Sequence, residues 1–169
     1  MLGVVMDSRK VERRPTPIYG FGVFAIEDIE PGEVIGEFLA EIRWSENAAS
    51  LPVDDFFSGR HAIQFRKHWW RDGRVDGIAR YIAHSCNPNC GIVDLFKVVS
   101  MKRIKAGEEV TWDYAMTEEE HPPFECKCGS SNCRGVVCGF RPMTLEQKED
   151  FVSRCGGMIS DWLLTEYNL

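Results

Sequence analysis

The chain has no apolar run long enough to cross a bilayer, because lysine, arginine or an acidic residue interrupts every candidate. Its first residues, "MLGVVMDSRKVERR", lack the order of basic region, apolar region and small-residue cleavage site that marks a secretory signal. Basic charge is in deficit: 20 Lys and Arg against 26 Asp and Glu leave a formal net charge of −6. That balance argues against nucleic-acid binding through a broad basic surface and fits a basic partner, such as a peptide rich in lysine and arginine. Modest acidity also keeps a small protein soluble, and composition alone favours that plainer reading. Internal repeats and low-complexity segments are absent as well. Seven cysteines, an odd number without a signal, argue against a disulfide framework. An intracellular protein, nuclear or cytoplasmic and not membrane-bound, is expected.

What is present is a rhythm of short apolar runs broken by turns. With 169 residues, 44% of them hydrophobic and 27% charged, the chain suits one domain with a proper core. "VVMDS", "GVFAI" and "VIGEFLAEI" read as strands, punctuated by "YGFG" and the Pro-Gly turn "EPGE". Residues 43–60 read as a loop with some helix, "HAIQF" as a strand, and "RDGRVDG" as a connector to a helical turn near "IARYIA". "GIVDLFKVVSMKRI" predicts two strands with a tight break, and "KAGEEVTWDY" a turn and a further strand. "AMTEEEHPPFE" is acidic and proline-marked, hence a loop. In the tail, Thr144 and Gln147 have capping-box spacing, Gly156 and Gly157 stop the helix, and "MISDWLLTEY" offers a second one. The pattern predicts a mostly β core with short C-terminal helices.

Residues 126–133, "CKCGSSNC", place three thiols too close in sequence to pair comfortably with one another. They are well spaced to wrap one tetrahedral Zn²⁺, with Gly129 allowing the tight turn. A structural zinc needs a fourth ligand, and Cys86, Cys90, Cys138, Cys155 and four histidines are available. Reduced cysteines without metal are the plain alternative. It is the weaker one, because a short polar loop has no core of its own to order it. Cys86 and Cys90 both lie in "YIAHSCNPNC" (81–90), so the tail is expected to fold back onto the body there.

In chain order, "YGFGVFA" (19–25), "VIGEFLAE" (34–41), "RYIAHSCNPNC" (80–90), "GEEVTWDY" (107–114) and "CKCGSSNCRG" (126–135) resemble five segments of the SET-domain protein-lysine methyltransferases. These are the family's G-x-G, E-Y-x-G-E, R-F-I-N-H-S-C-x-P-N, E-L-x-x-D-Y and post-SET zinc motifs. A lone G-x-G would carry little weight; five motifs in order, over roughly 15–137, carry much. The resemblance implies a SET fold of small curved sheets with a knot-like threaded active site. S-adenosylmethionine lies on one face, and the lysine of a basic protein, such as a histone tail, enters from the other. It implies a domain at 15–115 with a variable insert at 43–77, after an extension at 1–14. A post-SET zinc motif at 122–138 and a helical tail at 139–169 follow. That tail packs on its own domain, pairs with a second copy, or docks a partner.

Residue by residue, the resemblance makes Tyr114 the orienting catalytic tyrosine, and sets Trp112 where relatives carry the Phe or Tyr that influences how many methyl groups are added. Lacking a hydroxyl, Trp112 would admit di- or trimethylation, whereas its bulk argues the other way. Phe38, Trp112 and Tyr114 would line the substrate channel. Tyr19, Gly20, Phe21, Gly22, Arg80, Tyr81, Ala83, His84, Tyr114 and Phe124 would bind the cofactor, with His84 offering backbone contact rather than acting as a base. Cys86, Cys126, Cys128 and Cys133 would hold the zinc, leaving Cys90, Cys138 and Cys155 as small buried residues. Three positions depart from the pattern: Phe38 replaces a tyrosine, Ala40 a glycine, and Ala83 the asparagine that helps bind the cofactor's amino-acid end. Ala83 keeps open a second reading, a catalytically silent SET-fold interaction module.

Overall fold

A computed structural model describes residues 7–51, 62–73 and 77–169. Most of the strand expected at "VVMDS" and residues 52–60 of the polar stretch 43–60 lie outside the described residues. Among the described residues, four small sheets make up the body. In the first, β1 (Val11–Thr16) and β2 (Gly20–Ala25) form a hairpin. β3 (Val34–Glu37), β4 (Ile42–Trp44), β5 (Ile63–Arg66) and β6 (Trp69–Arg71) follow. β7 (Ala83–His84), β8 (Cys90–Val93), β9 (Lys97–Ser100) and β10 (Glu109–Trp112) then complete the orders β1-β2-β10-β7, β3-β9-β8 and β4-β6-β5. β11 (Phe124–Glu125) and β12 (Val136–Val137) pair antiparallel across the cysteine loop.

Strand β1 escapes sequence reading because "VERRPT" is charged and holds Pro15. It survives as an edge strand, where a missing N–H costs no ladder bond. "VIGEFLAEI" is two strands rather than one: β3 stops at Glu37, Phe38 turns inward to the core, and β4 starts in another sheet. "WWR", unassigned from sequence, becomes the central strand β6.

Two helices, α1 (Leu145–Arg154) and α2 (Asp161–Tyr167), form the tail. The capping box is present: the Thr144 hydroxyl accepts from Gln147 N at 3.3 Å, and Gln147 Oε1 accepts from Thr144 N at 2.8 Å. Gly156 and Gly157, with φ of 57° and 72°, end α1 as expected. Phe151, Ile159 and Leu163 join the same core as Ile92, Val98 and Trp112, so the tail is part of the domain's interior. Among the described residues, no helix is long and apolar enough to cross a membrane. Thr144→Ala removes one cap acceptor; it should cost about 1 kcal/mol, read as a melting temperature lower by about 2–4 °C.

Candidate active site

The segment "YIAHSCNPNC" reaches the centre of the domain because β7 pairs parallel with β10, Ala83 opposite Thr111 and His84 opposite Trp112. Asn89 extends that pairing with its side chain. Its Nδ2 donates to Glu109 O at 2.7 Å, and its Oδ1 accepts from Thr111 N at 2.8 Å. An amide can act both ways at once, which mimics a short piece of strand. Ser85 N donates to Trp112 O at 3.0 Å and closes the ladder.

Beside this junction lie two openings. A groove of about 770 Å³ runs along Tyr19, Gly20, Phe21, Tyr81, His84 and Phe124. A narrow cavity of about 50 Å³ is walled by Phe38, Ile63, Trp112, Glu118 and His121. Arg80, Ile82 and Tyr114 line both. Tyr114 packs against Trp112 (ring centroids 5.1 Å apart) and His84 (5.2 Å), and its hydroxyl donates to Ile82 O at 3.4 Å. Burial pushes its phenol pKa up, and the Glu118 carboxyl adds to that. Arg13 lies over both Phe21 and Tyr81, 4.6 Å from each ring, and fixes the groove's rim. Tyr19 donates to Glu109 from across the groove.

Under Tyr114, Asp113 is fully buried. Its Oδ1 accepts from Ala115 N at 3.0 Å, and Arg134 binds both carboxylate oxygens at 2.7 and 2.8 Å. His84 Nδ1 accepts from Tyr114 N at 3.3 Å, which leaves the proton on Nε2, 3.4 Å from Cys86 Sγ. Burial, reinforced by Arg134 and His121 against the opposing pull of Asp113, lowers the His84 pKa to about 4, so the ring is neutral. A neutral ring with its proton directed at sulfur is no general base.

Cys86, Cys126, Cys128 and Cys133 bring their sulfurs within 4.8 Å of one another, with Cys86 and Cys126 3.7 Å apart. A tetrahedral zinc with Zn–S bonds of about 2.3 Å sets sulfurs about 3.8 Å apart, so the spacing fits. Arg134 N and Gly135 N point at Cys86 and Cys133 sulfurs, both at 3.4 Å, as donors to thiolates do. Burial pushes the Cys86 thiol up to about 11. Burial also pushes Cys128 up, but the Ser130 hydroxyl and backbone donors outweigh it and bring that thiol down to about 6. His84, Cys86 and Asp113 also converge, but Arg134 already occupies the Asp113 carboxylate.

Residues 20–115, more than half of the chain, match the profile of the SET domain. The chain belongs to the SET-domain family. Its curated relatives include the Caenorhabditis elegans "Histone-lysine N-methyltransferase mes-4", 30% identical over 158 residues that span 80% of this chain and 17% of that protein. The Drosophila melanogaster "Histone-lysine N-methyltransferase trr" is 35% identical over 69% of this chain and 5% of its own length. This chain therefore spans less than a fifth of either. The crystal structure of KRYPTONITE in complex with mCHG DNA and SAH superposes with a TM-score of 0.59 at 22% identity, covering 75% of this chain and 28% of that one. Its likeness shows the SET fold.

Most of the SET residues singled out from sequence converge on these two openings. Tyr19, Gly20, Phe21, Arg80, Tyr81, His84, Tyr114 and Phe124 line the groove; Phe38, Trp112 and Tyr114 line the cavity. Ala83 and Gly22 do not line the groove. A Cβ at Gly22 would instead crowd the Glu109 carboxylate and stand 3.2 Å from Phe24 and Thr16. Cys90 and Cys155 are buried, but Cys138 is only half-buried. "AMTEEEHPPFE" is not a solvent loop throughout, since Met116, Thr117, Glu118 and Glu119 are buried. Sequence reading missed Glu109, Asp113, Glu118, His121 and Arg134. The first two stand inside "GEEVTWDY", where their motif could have marked them. Arg134 stands inside "CKCGSSNCRG" in the same way, and nothing local marks Glu118 and His121.

Proposed function

We propose that the chain is a protein-lysine methyltransferase that uses S-adenosylmethionine and acts on a lysine of a basic protein, a histone foremost. The observation that carries this reading is the position of Tyr114 as a shared wall between a wide groove and a narrow cavity lined by Phe38, Trp112, Arg80 and Glu118. Reactants held in the two openings would meet at this shared wall, where Arg80 and Ile82 stand beside Tyr114.

The groove suits the cofactor. Gly20 has φ of 90° and open space where a Cβ would stand, aromatic rings flank it, and Glu109 adds a carboxylate. Tyr19, Gly20, Phe21, Arg80, Tyr81, His84 and Phe124 would hold the molecule. When bound, it supplies an electrophilic methyl group on a sulfonium sulfur. The cavity residues prepare the nucleophile. Lysine has a pKa of about 10.4 and attacks only as the neutral amine; the walls of Phe38 and Trp112 favour that form by excluding water. The Tyr114 ring and the backbone beside it orient the amine, and position accounts for a large part of the rate.

Zinc at Cys86, Cys126, Cys128 and Cys133 fits a structural role. Four sulfur ligands leave no open position, and β11 with the loop that follows it carries groove residues Phe124, Cys126 and Cys128. Segment 122–138 then acts as a post-SET motif that closes the groove, while 139–169 packs against the SET domain. The rival reading, a silent interaction module, draws on the short side chain of Ala83.

Incubating the full chain with radiolabelled cofactor and core histones should label the histones. Tyr114→Phe should lower that labelling about a hundredfold or more, and full activity in this variant would remove Tyr114 from the reaction. Elemental analysis should find about one zinc per chain, lost in Cys133→Ser. Ala83→Asn should tighten S-adenosylhomocysteine binding by roughly tenfold, the worth of one hydrogen bond to a charged group. Unchanged affinity in calorimetry would mean that Ala83 costs the site nothing.

A further inference from the structure

Three adjacent carboxylates, Glu118 to Glu120, follow the catalytic tyrosine, and on an acidic chain all three should lie in solvent. Glu120 does, paired with Arg141. Glu119 is buried but engaged: its Oε1 accepts from Tyr167 Oη at 2.9 Å and lies 3.6 Å from Arg141. Glu118 is 4% exposed, lines the narrow cavity, and its Oε2 has no hydrogen-bond partner among the described residues.

The other charged or titratable groups facing this cavity are His121, Tyr114 and Arg80. His121 Nε2 stops 3.6 Å short of Oε2, Tyr114 is committed to Ile82 O, and Arg80 lies 3.9 Å from Asp72. Burial holds the Glu118 carboxyl well above the usual carboxylate range. Burial also lowers His121, against the opposing Pro122 carbonyl. A buried polar group without a partner is costly. Its place at the wall of the narrow cavity, beside Phe38 and Trp112, tells where the partner comes from: outside, along that cavity, as a slim chain ending in N–H donors. A lysine ammonium on its four-carbon stem has that form.

We propose that Glu118 receives the substrate's amino group: its Oε2 accepts an N–H of the entering lysine and takes the proton that the amine must lose before methylation. The inference rests on the methyltransferase reading above. As the ammonium enters, the carboxyl's own proton leaves through His121, which is partly exposed, and the ion pair forms. A proton then moves from Nζ to Oε2, which frees the nitrogen lone pair and regenerates the carboxylic acid; no electron is gained or lost. The reactive amine is thus made in the cavity at a pH where free lysine is almost wholly protonated.

The test uses the full chain, radiolabelled S-adenosylmethionine and core histones. kcat/KM is followed from about pH 6 to about pH 10, a span that brackets the histidine and lysine ranges. Glu118→Gln keeps the shape and removes the base. Glu118→Met replaces the buried polar group by an apolar one, a change that folding tolerates well, and serves where the first variant is insoluble. Both should bind S-adenosylhomocysteine like the wild type, since Glu118 is not a groove residue. Near neutral pH both should lose roughly a hundredfold in kcat/KM. That deficit should shrink steadily as the pH nears the lysine pKa of about 10.4, where solvent itself supplies neutral amine. Variant profiles that run parallel to an active wild type at every pH, or coincide with it, overturn this proposal alone. A wild type that neither binds S-adenosylhomocysteine nor labels histones overturns the methyltransferase reading and this proposal together.

Discussion

Asp113 ends β10 with its carboxylate fully buried, and Arg134 reaches it from the cysteine loop with two N–H···O bonds of 2.7 and 2.8 Å. A buried charge is tolerated only when it is paired and its remaining lone pairs are used. Here the same carboxylate also accepts from Ala115 N and so caps the short helical turn Tyr114–Met116. One ion pair therefore sets the direction of Tyr114 and ties the cysteine loop to the sheet. The two geometries most exposed to error, the shared wall and the sulfur cluster, are anchored at one point. A bidentate guanidinium suits this task, since its planar fork fixes angle as well as distance.

The tail supports the same region from outside. Trp162 Nε1 donates to Thr117 O at 3.1 Å, Tyr167 donates to Glu119, and Glu119 N donates to the buried Gln64 at 3.0 Å. These bonds draw a strongly acidic segment into the interior, where it forms one wall of the narrow cavity. Removing the tail would return that segment to water. The C-terminal helices thus belong to the site's architecture although neither lines the groove or the cavity.

Polar groups near Tyr114 are kept neutral or fully paired. His84 is uncharged and its two nitrogens face Tyr114 N and Cys86; Asp113 is matched by Arg134; Trp112 and Phe38 offer only rings. In such surroundings a charged amine is penalised and a neutral one is not. Glu118 lines the narrow cavity with an Oε2 that has no hydrogen-bond partner among the described residues.

Much of this was readable in the linear chain. Turn chemistry marked the hairpin of β8 and β9, Thr144 and Gln147 marked the start of α1, and the spacing of Cys126, Cys128 and Cys133 marked a cluster. Motif order placed Tyr114, Trp112 and the Gly20 segment at one site. These signals are local: a cap, a glycine or a thiol triplet acts over a few residues and leaves its trace in the same few. Other features were not readable, because each depends on a partner far along the chain. The edge strand β1 tolerates Pro15 because nothing among the described residues pairs beyond it, Arg134 matters because Asp113 lies beneath it, and α2 packs over the neighbours of the buried Glu118. Composition reads that acidic, proline-marked run as a loop. Burial, a property of the assembled molecule, turned one of its carboxylates toward the cavity.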